Sequence, residues 1–283
     1  MKRLIINADD LGADEARNEG IFEAIGAGVV TSASILPNGP ALEHALGKIR
    51  SGGLEQISLG VHLNLSEGRP LARDLSRLTG PDGYFRGKAE AHRLLMNTRD
   101  VSLQGDIARE VSLQIERLLD AAIGITHVDG HQHVHVFPSA LRTVADAAKG
   151  HGIWRMRIPD ETVTPVHEDV RSDLLGEARR FAALGMEARK ALAGTGIVSS
   201  DHFRGLTLKG RLDLEGLLKL IETLPDGTTE LMVHPGRVPA EDAFSAFSSG
   251  ERERELEALL DPRFRLALDS AGVVLTSFWE IFS

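Results

Sequence analysis

Short β-forming segments alternate along the sequence with segments that carry apolar residues at three- and four-residue steps. This alternation is typical of parallel βαβ units, in which each amphipathic helix covers the sheet between two strands. The β-forming segments are residues 3–10, 31–37, 57–65, 125–131, 154–159, 202–206, 229–234 and 273–280. The helical patterns cover residues 15–28, 41–49, 107–122, 140–149 and 214–224. The sequence therefore predicts an α/β fold built around a parallel sheet.

Chain length and composition narrow this fold class further. The 283 residues fit the roughly 250-residue length at which a (β/α)8 barrel closes as one unit. Hydrophobic residues make up 42% of the chain, which supplies a core without disulfides, and no long linker rich in Pro, Gly or Ser divides it. We predict a (β/α)-barrel of the TIM-barrel type, or a distorted form of it, as a single domain over residues 1–283.

Charge and composition exclude several classes of partner and chemistry. The formal net charge of −9 disfavours nucleic acid, because its phosphates repel an acidic protein. The absence of cysteine excludes thiolate nucleophiles and cysteine-ligated zinc, and it fits a reducing compartment. The apolar run at the N-terminus is too short for a signal peptide, and no window approaches the roughly 18 apolar residues of a membrane span. We therefore expect a cytoplasmic protein without a membrane span.

Acidic and imidazole side chains gather where several predicted strands end. They are Asp9, Asp10, His62, His131 and His234. Parallel α/β folds bind ligands at the carboxyl ends of their strands, so these residues predict a single site. Adjacent strand residues face opposite sides of a sheet, so the two aspartates reach one cleft only if the chain bends, as Gly12 would allow.

The residue types at these strand ends match an open catalytic metal site. A carboxylate with two neutral imidazoles binds Zn²⁺, Fe²⁺ or Mn²⁺ and leaves positions free for water and substrate. Such an ion lowers the pKa of its bound water and polarises a substrate carbonyl. A second carboxylate then takes the proton of the water, and a histidine across the cleft protonates the leaving amine.

Each of these signals also has a structural interpretation when it is taken alone. An Asp-Asp pair before glycine is common in strand-ending turns and helix caps. A single histidine at a strand end is usually a hydrogen-bonded structural residue, and the four histidines between residues 127 and 135 can form a solvated strand edge. Such a histidine-rich tract, with Asp129 inside it, nevertheless favours a metal. Because the signals coincide at strand ends, we predict a metal site.

Two long loops and several other polar residues are less specific. Residues 67–88 and 160–173 are either binding loops over a substrate cleft or surface segments. Arg157 shares a strand face with Arg155, and it either lies on an exposed edge, binds a sugar hydroxyl or orients the aspartate base. Four histidines outside the strand ends are predicted to lie at the surface: His44, His92, His151 and His167.

The strand-end motifs also form a recognisable set. The set comprises residues 7–12 (NADDLG), 31–34 (TSAS) with 38–39 (NG), 60–65 (GVHLNL), 127–135 (HVDGHQHVH) and 234–236 (HPG). Together with residues 275–278 (LTSF), it resembles the YdjC-like (ChbG/HpnK-type) carbohydrate deacetylases over nearly the whole chain. Leu11 stands where that family often has phenylalanine, and residues 130–133 read GHQH where some members have SHHH. Both departures leave the catalytic groups in place.

The resemblance implies a (β/α)-barrel-like fold, often dimeric, that holds one divalent ion and hydrolyses acetamido groups on amino sugars such as chitooligosaccharides. Transferred to the matching positions, it makes Asp10, His62 and His131 the metal ligands. This ligand set suits Mg²⁺ or Zn²⁺, with Mn²⁺ and Co²⁺ as alternatives. A homodimer is expected on the same ground.

The same resemblance implies the catalytic roles. Asp9 becomes the general base that activates a metal-bound water, and His234 becomes the acid that assists departure of the amine. Substrate contacts are expected from Arg157, Asn64 and His133. Aromatic residues make up only 5% of the chain, so we expect short oligosaccharides or a monosaccharide conjugate. The sequence therefore predicts a hydrolase of linear amide C–N bonds that removes N-acetyl groups from a small carbohydrate.

Two other functions fit parts of the same pattern. A metal phosphoesterase or another amidohydrolase would use the same ligands, but the sequence contains no phosphate-binding loop rich in Gly or in Arg and Lys. A non-catalytic sugar-binding protein would hold the ion structurally. Structural sites are usually closed by four protein ligands, however, and need no spare carboxylate such as Asp9.

Overall fold

A parallel β-sheet forms the centre of the molecule. The computed structural model describes residues 1–54, 56–98, 100–162, 172–238 and 250–281. Across these residues the strands are β1 (Lys2–Leu11), β2 (Ser32–Ile35), β3 (Ser58–Leu63), β4 (Ile125–Gly130), β5 (His202–Arg204), β6 (Gly227–Val233) and β7 (Val274–Leu275). They pair in the order β4-β3-β2-β1-β6-β5, with β7 added to β1. Because every one of these pairs is parallel, the carboxyl ends of the strands meet at one rim.

Helices follow the strands in the order expected for βα units. Over the described ranges they are α1 (Glu15–Gly26), α2 (Leu42–Arg50), α3 (Lys88–Leu95), α4 (Val101–Asp120), α5 (Leu141–Gly150), α6 (Ser172–Leu192), α7 (Leu214–Thr223), α8 (Gly250–Leu260) and α9 (Pro262–Ser270). Short 3₁₀ segments lie at His131–Val136 and Phe278–Glu280. Among the helices described here, none combines the length and the apolar composition that crossing a lipid bilayer requires.

The sheet is a half-barrel with helices, so the predicted α/β barrel class is confirmed. Isolated parallel bridges extend the sheet beyond β4, from Val128 to Met156 and from Arg155 to Val198. The predicted strand 154–159 is therefore present only as these bridges. Segment 273–280 pairs only over β7 and then turns into a 3₁₀ segment.

Several helices differ from the sequence prediction. Helix α4 begins at Val101 rather than at residue 107, because the Asp100 side chain caps it by accepting a hydrogen bond from the Leu103 amide. The sequence pattern does not predict α3, α8 and α9, which are short and rich in charged residues. It also misses α6, which begins within the predicted loop 160–173.

Strand β1 is the best-supported strand of the sheet. It pairs with β2, β6 and β7, and Leu4, Ile6 and Ala8 join the hydrophobic core. Its carboxyl end is equally buried, although it carries Asp9 and Asp10. Burying a carboxylate is costly unless opposite charge or hydrogen bonds compensate it. The end of β1 therefore requires charged partners, which the site provides.

Helix α1 packs directly against the segment that carries His234. The backbone of Gly20 lies against Gly236, and a Cβ atom on Gly20 would stand 2.5 Å from the Gly236 Cα atom. Real Cβ atoms do not approach backbone atoms so closely. Because residue 20 has no side chain, segment 234–236 can lie directly against α1.

We expect Gly20→Ala to lower the free energy of unfolding by about 1–3 kcal/mol, the usual effect of overpacking a close contact. Gly26→Ala is the matched control, because it lies on the same helix with no atom within 4 Å of its added Cβ. The control is expected to be neutral or more stable by up to about 1 kcal/mol. Urea denaturation measures both variants, and equal stability of the two would contradict the close packing of α1.

Candidate metal centre

A bulge in β1 turns two adjacent aspartates toward one cavity. Between Ala8 and Leu11 the strand has one residue more than the paired stretch of β2. Asp10 lies in this bulge with a left-handed φ of 69°, a conformation that costs a non-glycine residue roughly 1–3 kcal/mol. The bend that was expected at Gly12 therefore begins at Asp10 itself. Asp9 and Asp10 both line the cavity as a result.

The cavity lies at the carboxyl rim of the sheet and has a volume of about 190 Å³. It is lined by Asp9, Asp10, His62, Glu67, Lys88, Gly130, His131, Gln132, His133, Lys209, Met232, His234 and Arg252. The lining includes every residue predicted as a metal ligand, base or acid. The fold thus brings together the ends of β1 and β3, the turn after β4 and the segment after β6.

Asp10, His62 and His131 form a buried group whose ligand atoms all lie within 4.8 Å of one another. Asp10 Oδ1 is 3.4 Å from His62 Nε2 and 2.8 Å from His131 Nδ1. An ion with bonds of about 2.1 Å, at tetrahedral or octahedral angles, would place its ligand atoms about 3.0–3.4 Å apart. The 3.4 Å separation lies at the upper end of this range and the 2.8 Å separation just below it. A divalent cation would therefore fit these donors after a small shift of the His131 ring.

Two of these side chains, His62 and Asp10, each make a further contact that fixes their orientation. His62 Nδ1 lies 2.8 Å from Asp129 Oδ1. A ring that donates to Asp129 directs the lone pair of Nε2 toward Asp10. Arg252 Nη2 donates to Asp10 Oδ2 at 2.6 Å, which leaves Oδ1 directed at the imidazoles. Contacts of this kind are typical of metal ligands.

The charges around Asp10, His62 and His131 favour the binding of a cation. Burial would raise the pKa of Asp10, but the neighbouring imidazoles and Arg252 lower it well below its usual value. Burial would likewise lower the pKa of His62, but the Asp129 and Asp9 carboxylates outweigh burial and raise the pKa to about 10. Asp10 is therefore ionised, and the surrounding carboxylates stabilise positive charge at this position.

Arg157 lies beneath the cavity and holds Asp9 with two hydrogen bonds. Its Nη1 donates to Asp9 Oδ2 at 2.6 Å, and its Nη2 donates to Asp9 Oδ1 at 2.7 Å. The same guanidinium lies 3.0 Å from Asp129 and donates to Glu230 at 2.6 Å. The structure corrects the predicted substrate contact from Arg157, because this side chain is fully buried among carboxylates. Its geometry is that of the other interpretation, in which it orients the aspartate base.

The Arg157 guanidinium contacts the carboxylates of Asp9, Asp129 and Glu230. Of these three groups, Glu230 has the raised pKa. Burial, together with Asp129 and Asp9, raises the pKa of Glu230 to about 7, although Arg157 opposes the rise. Burial also acts against ionisation of Asp129, but Arg157 and His62 hold its pKa below the usual range. Glu230 therefore retains a proton over part of the neutral pH range.

A second group of possible metal ligands is less suitable. Asp9, His62 and Asp129 also offer ligand atoms within 4.8 Å of one another. Both of these carboxylates are already in contact with the Arg157 guanidinium. Arg157 binds both oxygens of Asp9, whereas Arg17 and Arg252 contact Asp10 at Oδ2, and Oδ1 is directed at the imidazoles. The Asp10 group is therefore the better candidate, and Asp9 stays outside it.

His234 and His133 contribute imidazoles to the cavity lining. The His234 amide donates to Glu255 Oε1 at 2.6 Å. Burial and the nearby Arg252 lower the pKa of the His234 ring well below its usual value, so the ring is neutral at pH 7. The ring of His133 packs edge-on against Phe181, with centroids 4.7 Å apart. The cavity position of His133 is compatible with the substrate contact expected from the sequence.

Asn64 supports the site from outside the cavity. Its Oδ1 accepts hydrogen bonds from the amides of Ser66 and Glu67, and its Nδ2 donates to the Glu67 carbonyl at 2.7 Å. The side chain is fully buried and does not line the cavity. The substrate contact expected from Asn64 is corrected accordingly, because its amide builds the turn 64–67.

His92 is buried, which contradicts the predicted surface position. Its Nε2 lies 3.1 Å from the Gln132 carbonyl oxygen, and its ring packs against Phe137. Burial and the nearby Lys88 lower its pKa to about 4. The prediction failed because helix α3 was not recognised. Of the other three histidines, His44 is partly exposed, His151 is exposed, and His167 lies outside the described residues.

The sequence did not identify four charged residues of the lining: Glu67, Lys88, Lys209 and Arg252. Glu67 and Lys88 are the two ends of the loop 67–88, so the binding-loop interpretation of this segment gains support. Lys209 and Arg252 follow no local motif, and only folding brings them to β1. The second predicted loop, 160–173, lies mostly outside the described residues.

Known proteins resemble this chain in sequence over nearly its full length. The family model of YdjC-like proteins matches residues 3–270. A carbohydrate deacetylase of Mus musculus is 37% identical, over 99% of this chain and 95% of the mouse protein. A chitooligosaccharide deacetylase of Salmonella paratyphi B is 38% identical over 98% of each protein. These names agree with the deacetylase prediction.

A solved structure resembles the fold. It is the crystal structure of an Enterococcus faecalis V583 protein, named as a candidate for cellobiose-phosphate cleavage. The two folds agree with a TM-score of 0.74 at 23% identity, over 98% of both chains. The family prediction is confirmed by the family model and the relatives. The chain belongs to the YdjC-like protein family.

Proposed function

We propose that this protein is a metal-dependent hydrolase that removes the N-acetyl group from an amino sugar or a short oligosaccharide of the chitooligosaccharide type. One observation carries the proposal. The ligand atoms of Asp10, His62 and His131 converge within 4.8 Å in the cavity, beside the carboxylate of Asp9. The names of the mouse and Salmonella relatives support the substrate class.

Asp10, His62 and His131 would hold one divalent ion. When bound, the ion supplies Lewis acidity toward the acetamide carbonyl and lowers the pKa of water. Two imidazoles with one carboxylate suit Zn²⁺, Mn²⁺ or Co²⁺, and Mg²⁺ fits where waters complete its shell. Asp129 and Arg252 hold two of the ligands in place.

Asp9 takes a proton from the attacking water. Arg157 binds both carboxylate oxygens of Asp9, and Asn7 Nδ2 donates to Oδ1 at 2.8 Å, so the group cannot swing away. A carboxylate has further lone pairs, which accept the proton while the water oxygen bonds to the acetamide carbon. Fixing the base in advance lowers the entropic cost of reaching the reactive geometry.

His234 is the proposed donor to the leaving nitrogen. The C–N bond breaks as this nitrogen takes a proton, and acetate and the free amine are formed. Because burial and Arg252 lower the pKa of His234, its imidazole rests neutral and, once protonated, gives the proton up readily. Because the resting imidazole is neutral, it first takes up the proton that Asp9 has removed from water and then passes it to the amine nitrogen, so that both side chains return to their starting protonation states.

The size of the cavity favours a small acetylated group. Its volume of about 190 Å³ lies below the roughly 300–1,000 Å³ of pockets that enclose a drug-sized ligand. The described residues would therefore enclose the acetamido end of one sugar. Further units of an oligosaccharide would lie outside this cavity.

A metal-dependent phosphoesterase is the second candidate, because Lys88 and Lys209 also line the cavity. Ammonium groups attract phosphate as point charges. Lys88 Nζ, however, already pairs with Glu177 at 2.8 Å, and burial lowers the pKa of Lys209. A neutral acetamide is therefore the favoured substrate. A sugar-binding protein without catalysis is disfavoured, because Asp9 supplies a base that binding does not need.

Acetate release tests the proposal. Metal-stripped protein is supplied with Zn²⁺, Mg²⁺, Mn²⁺ or Co²⁺ and incubated with N-acetylglucosamine, its β-1,4 dimer or its trimer, and separately with p-nitrophenyl phosphate. We expect acetate from at least one acetylated sugar only after metal is added, and no phosphate. Phosphate without acetate would favour the second candidate. No acetate with any metal, from protein shown to bind one, would contradict the proposal.

A further inference from the structure

We propose that Glu67 is a positioning residue that fixes the ring orientation of His131 and so decides which of its nitrogens binds the metal. This inference rests on the metal centre of the proposed function. Glu67 Oε2 lies 3.0 Å from His131 Nε2. On the opposite side of the ring, Nδ1 lies 2.8 Å from Asp10 Oδ1. The imidazole therefore bridges two carboxylates.

The acceptor chemistry of Glu67 sets the orientation of the ring. An ionised carboxylate only accepts hydrogen bonds, so the nitrogen that faces Glu67 carries a proton. A nitrogen that binds a metal presents its lone pair instead. His131 therefore donates from Nε2 to Glu67, and with an ion bound its Nδ1, on the side of Asp10, would be the nitrogen that presents the lone pair. A ring turned about its Cβ–Cγ bond would place carbon atoms at both positions and lose both contacts.

Glu67 is itself held by contacts that do not involve the metal ligands. The Asn64 amide binds the backbone of Glu67 on both sides, at 3.1 Å to its N–H and 2.7 Å to its carbonyl oxygen. Gln114 of helix α4 in turn binds the backbone N–H and carbonyl of Asn64, at 2.9 and 2.7 Å. Glu110 fixes the Gln114 amide at 2.7 Å. The position of Glu67 is thus anchored to α4.

The second oxygen of Glu67 binds the next residue of the turn. Glu67 Oε1 accepts a hydrogen bond from Gln132 Nε2 at 2.8 Å. Gln132 and His133 have left-handed φ values of 53° and 58°, and such residues persist only where their surroundings fix them. Gln132 Oε1 is buried without a hydrogen-bond partner among the described residues. The amide of Gln132 is therefore able to turn over if its neighbour changes.

Zn²⁺ binding by Glu67→Ala tests the inference without any turnover. We expect the Kd for Zn²⁺, measured by chelator competition on folded metal-stripped protein, to rise about 10–100-fold, as is typical when such a second contact is lost. In Zn²⁺-loaded wild-type protein, ¹⁵N NMR is expected to show His131 bound through Nδ1 and protonated at Nε2. In Glu67→Ala this signature is expected to weaken or to change to binding through Nε2.

Glu67→Gln is the conservative variant, and it also tests the inference if Glu67→Ala does not fold. We expect it to retain binding through Nδ1 and to recover most of the affinity, because its amide oxygen still accepts from His131. The Gln132 amide turns over to accept the new N–H. Glu90→Ala is the control, since Glu90 is partly exposed on α3 and pairs only with Arg93 in the described contacts. The control is expected to bind Zn²⁺ as wild type does.

Separate outcomes overturn the inference and the proposed function. Unchanged Zn²⁺ affinity and an unchanged ¹⁵N pattern in Glu67→Ala would overturn the role of Glu67 and leave the metal centre intact. Binding through Nε2 in Glu67→Gln would overturn it as well. A wild-type protein that binds no divalent ion would instead overturn the proposed function.

Discussion

Asp9→Asn is expected to lower kcat for acetate release by about 10²–10⁴-fold, the usual contribution of a general base. An amide cannot take the proton of the attacking water at neutral pH. The three proposed metal ligands are unchanged, so the variant is expected to bind one Zn²⁺ per chain as wild type does. It is also expected to fold, because Arg157 keeps its contacts with Asp129 and Glu230.

Steady-state acetate release and Zn²⁺ binding are measured on the same preparation of Asp9→Asn. Asp213→Asn is the matched control, because Asp213 caps the exposed start of α7 and asparagine caps a helix equally well. Wild-type kcat in Asp9→Asn would contradict the assignment of the base. Loss of Zn²⁺ binding would contradict it in another way, since Asp9 would then belong to the ligand group with His62 and Asp129.

Arg157→Met is expected to lower the free energy of unfolding by about 3–5 kcal/mol, because removing one partner of a buried ion pair leaves the other charges uncompensated. Three buried carboxylates lose their common partner in this variant: Asp9, Asp129 and Glu230. Methionine is unbranched and fills much of the same space, so the loss reflects charge more than volume. Acetate release is expected to fall as well, because Asp9 loses its orientation.

The destabilisation by Arg157→Met is expected to be larger at pH 8 than at pH 5. Arg157 lowers the pKa of Glu230, so its loss raises that pKa further above the value of about 7. A carboxyl group whose pKa is higher in the folded protein than in the unfolded chain binds more protons when folded. Its contribution therefore favours the folded state at low pH and is lost as the pH rises.

Urea denaturation of Arg157→Met at both pH values provides the measurement. Arg155→Met is the matched control, because Arg155 is partly exposed and donates to the backbone carbonyls of Trp279 and Ile281. The control is expected to cost about 1 kcal/mol, the usual worth of such hydrogen bonds. Equal stability of Arg157→Met and wild type would show that the carboxylates do not depend on this guanidinium.

The fold and the principal site residues follow from local features of the sequence. The alternation of strands and helices predicts a parallel sheet, and in such a sheet the strand ends meet at one rim. Asp9, Asp10 and His62 lie at such ends, and His131 follows one directly. The strand pattern is sufficient to predict that these four residues meet.

The remaining features depend on contacts between distant segments. The bulge at Asp10 arises from the register between β1 and β2, which no local pattern encodes. Arg252 reaches Asp10 across 242 residues of sequence, and Arg157 reaches Asp9 across 148. Whether Arg157 touches substrate or supports the base depends on its burial, and burial is a property of the assembled fold.

In our proposal, acetate release requires one divalent ion bound by Asp10, His62 and His131. The most direct test is to titrate Zn²⁺ into metal-stripped protein, with a metal that supports activity substituted if Zn²⁺ does not, while acetate release from the β-1,4 dimer is followed. We expect the rate to rise in proportion to the metal and to level off at one ion per chain, and we expect no such rise in His62→Ala. A full rate before metal is added, or the same curve in His62→Ala, would contradict this metal centre.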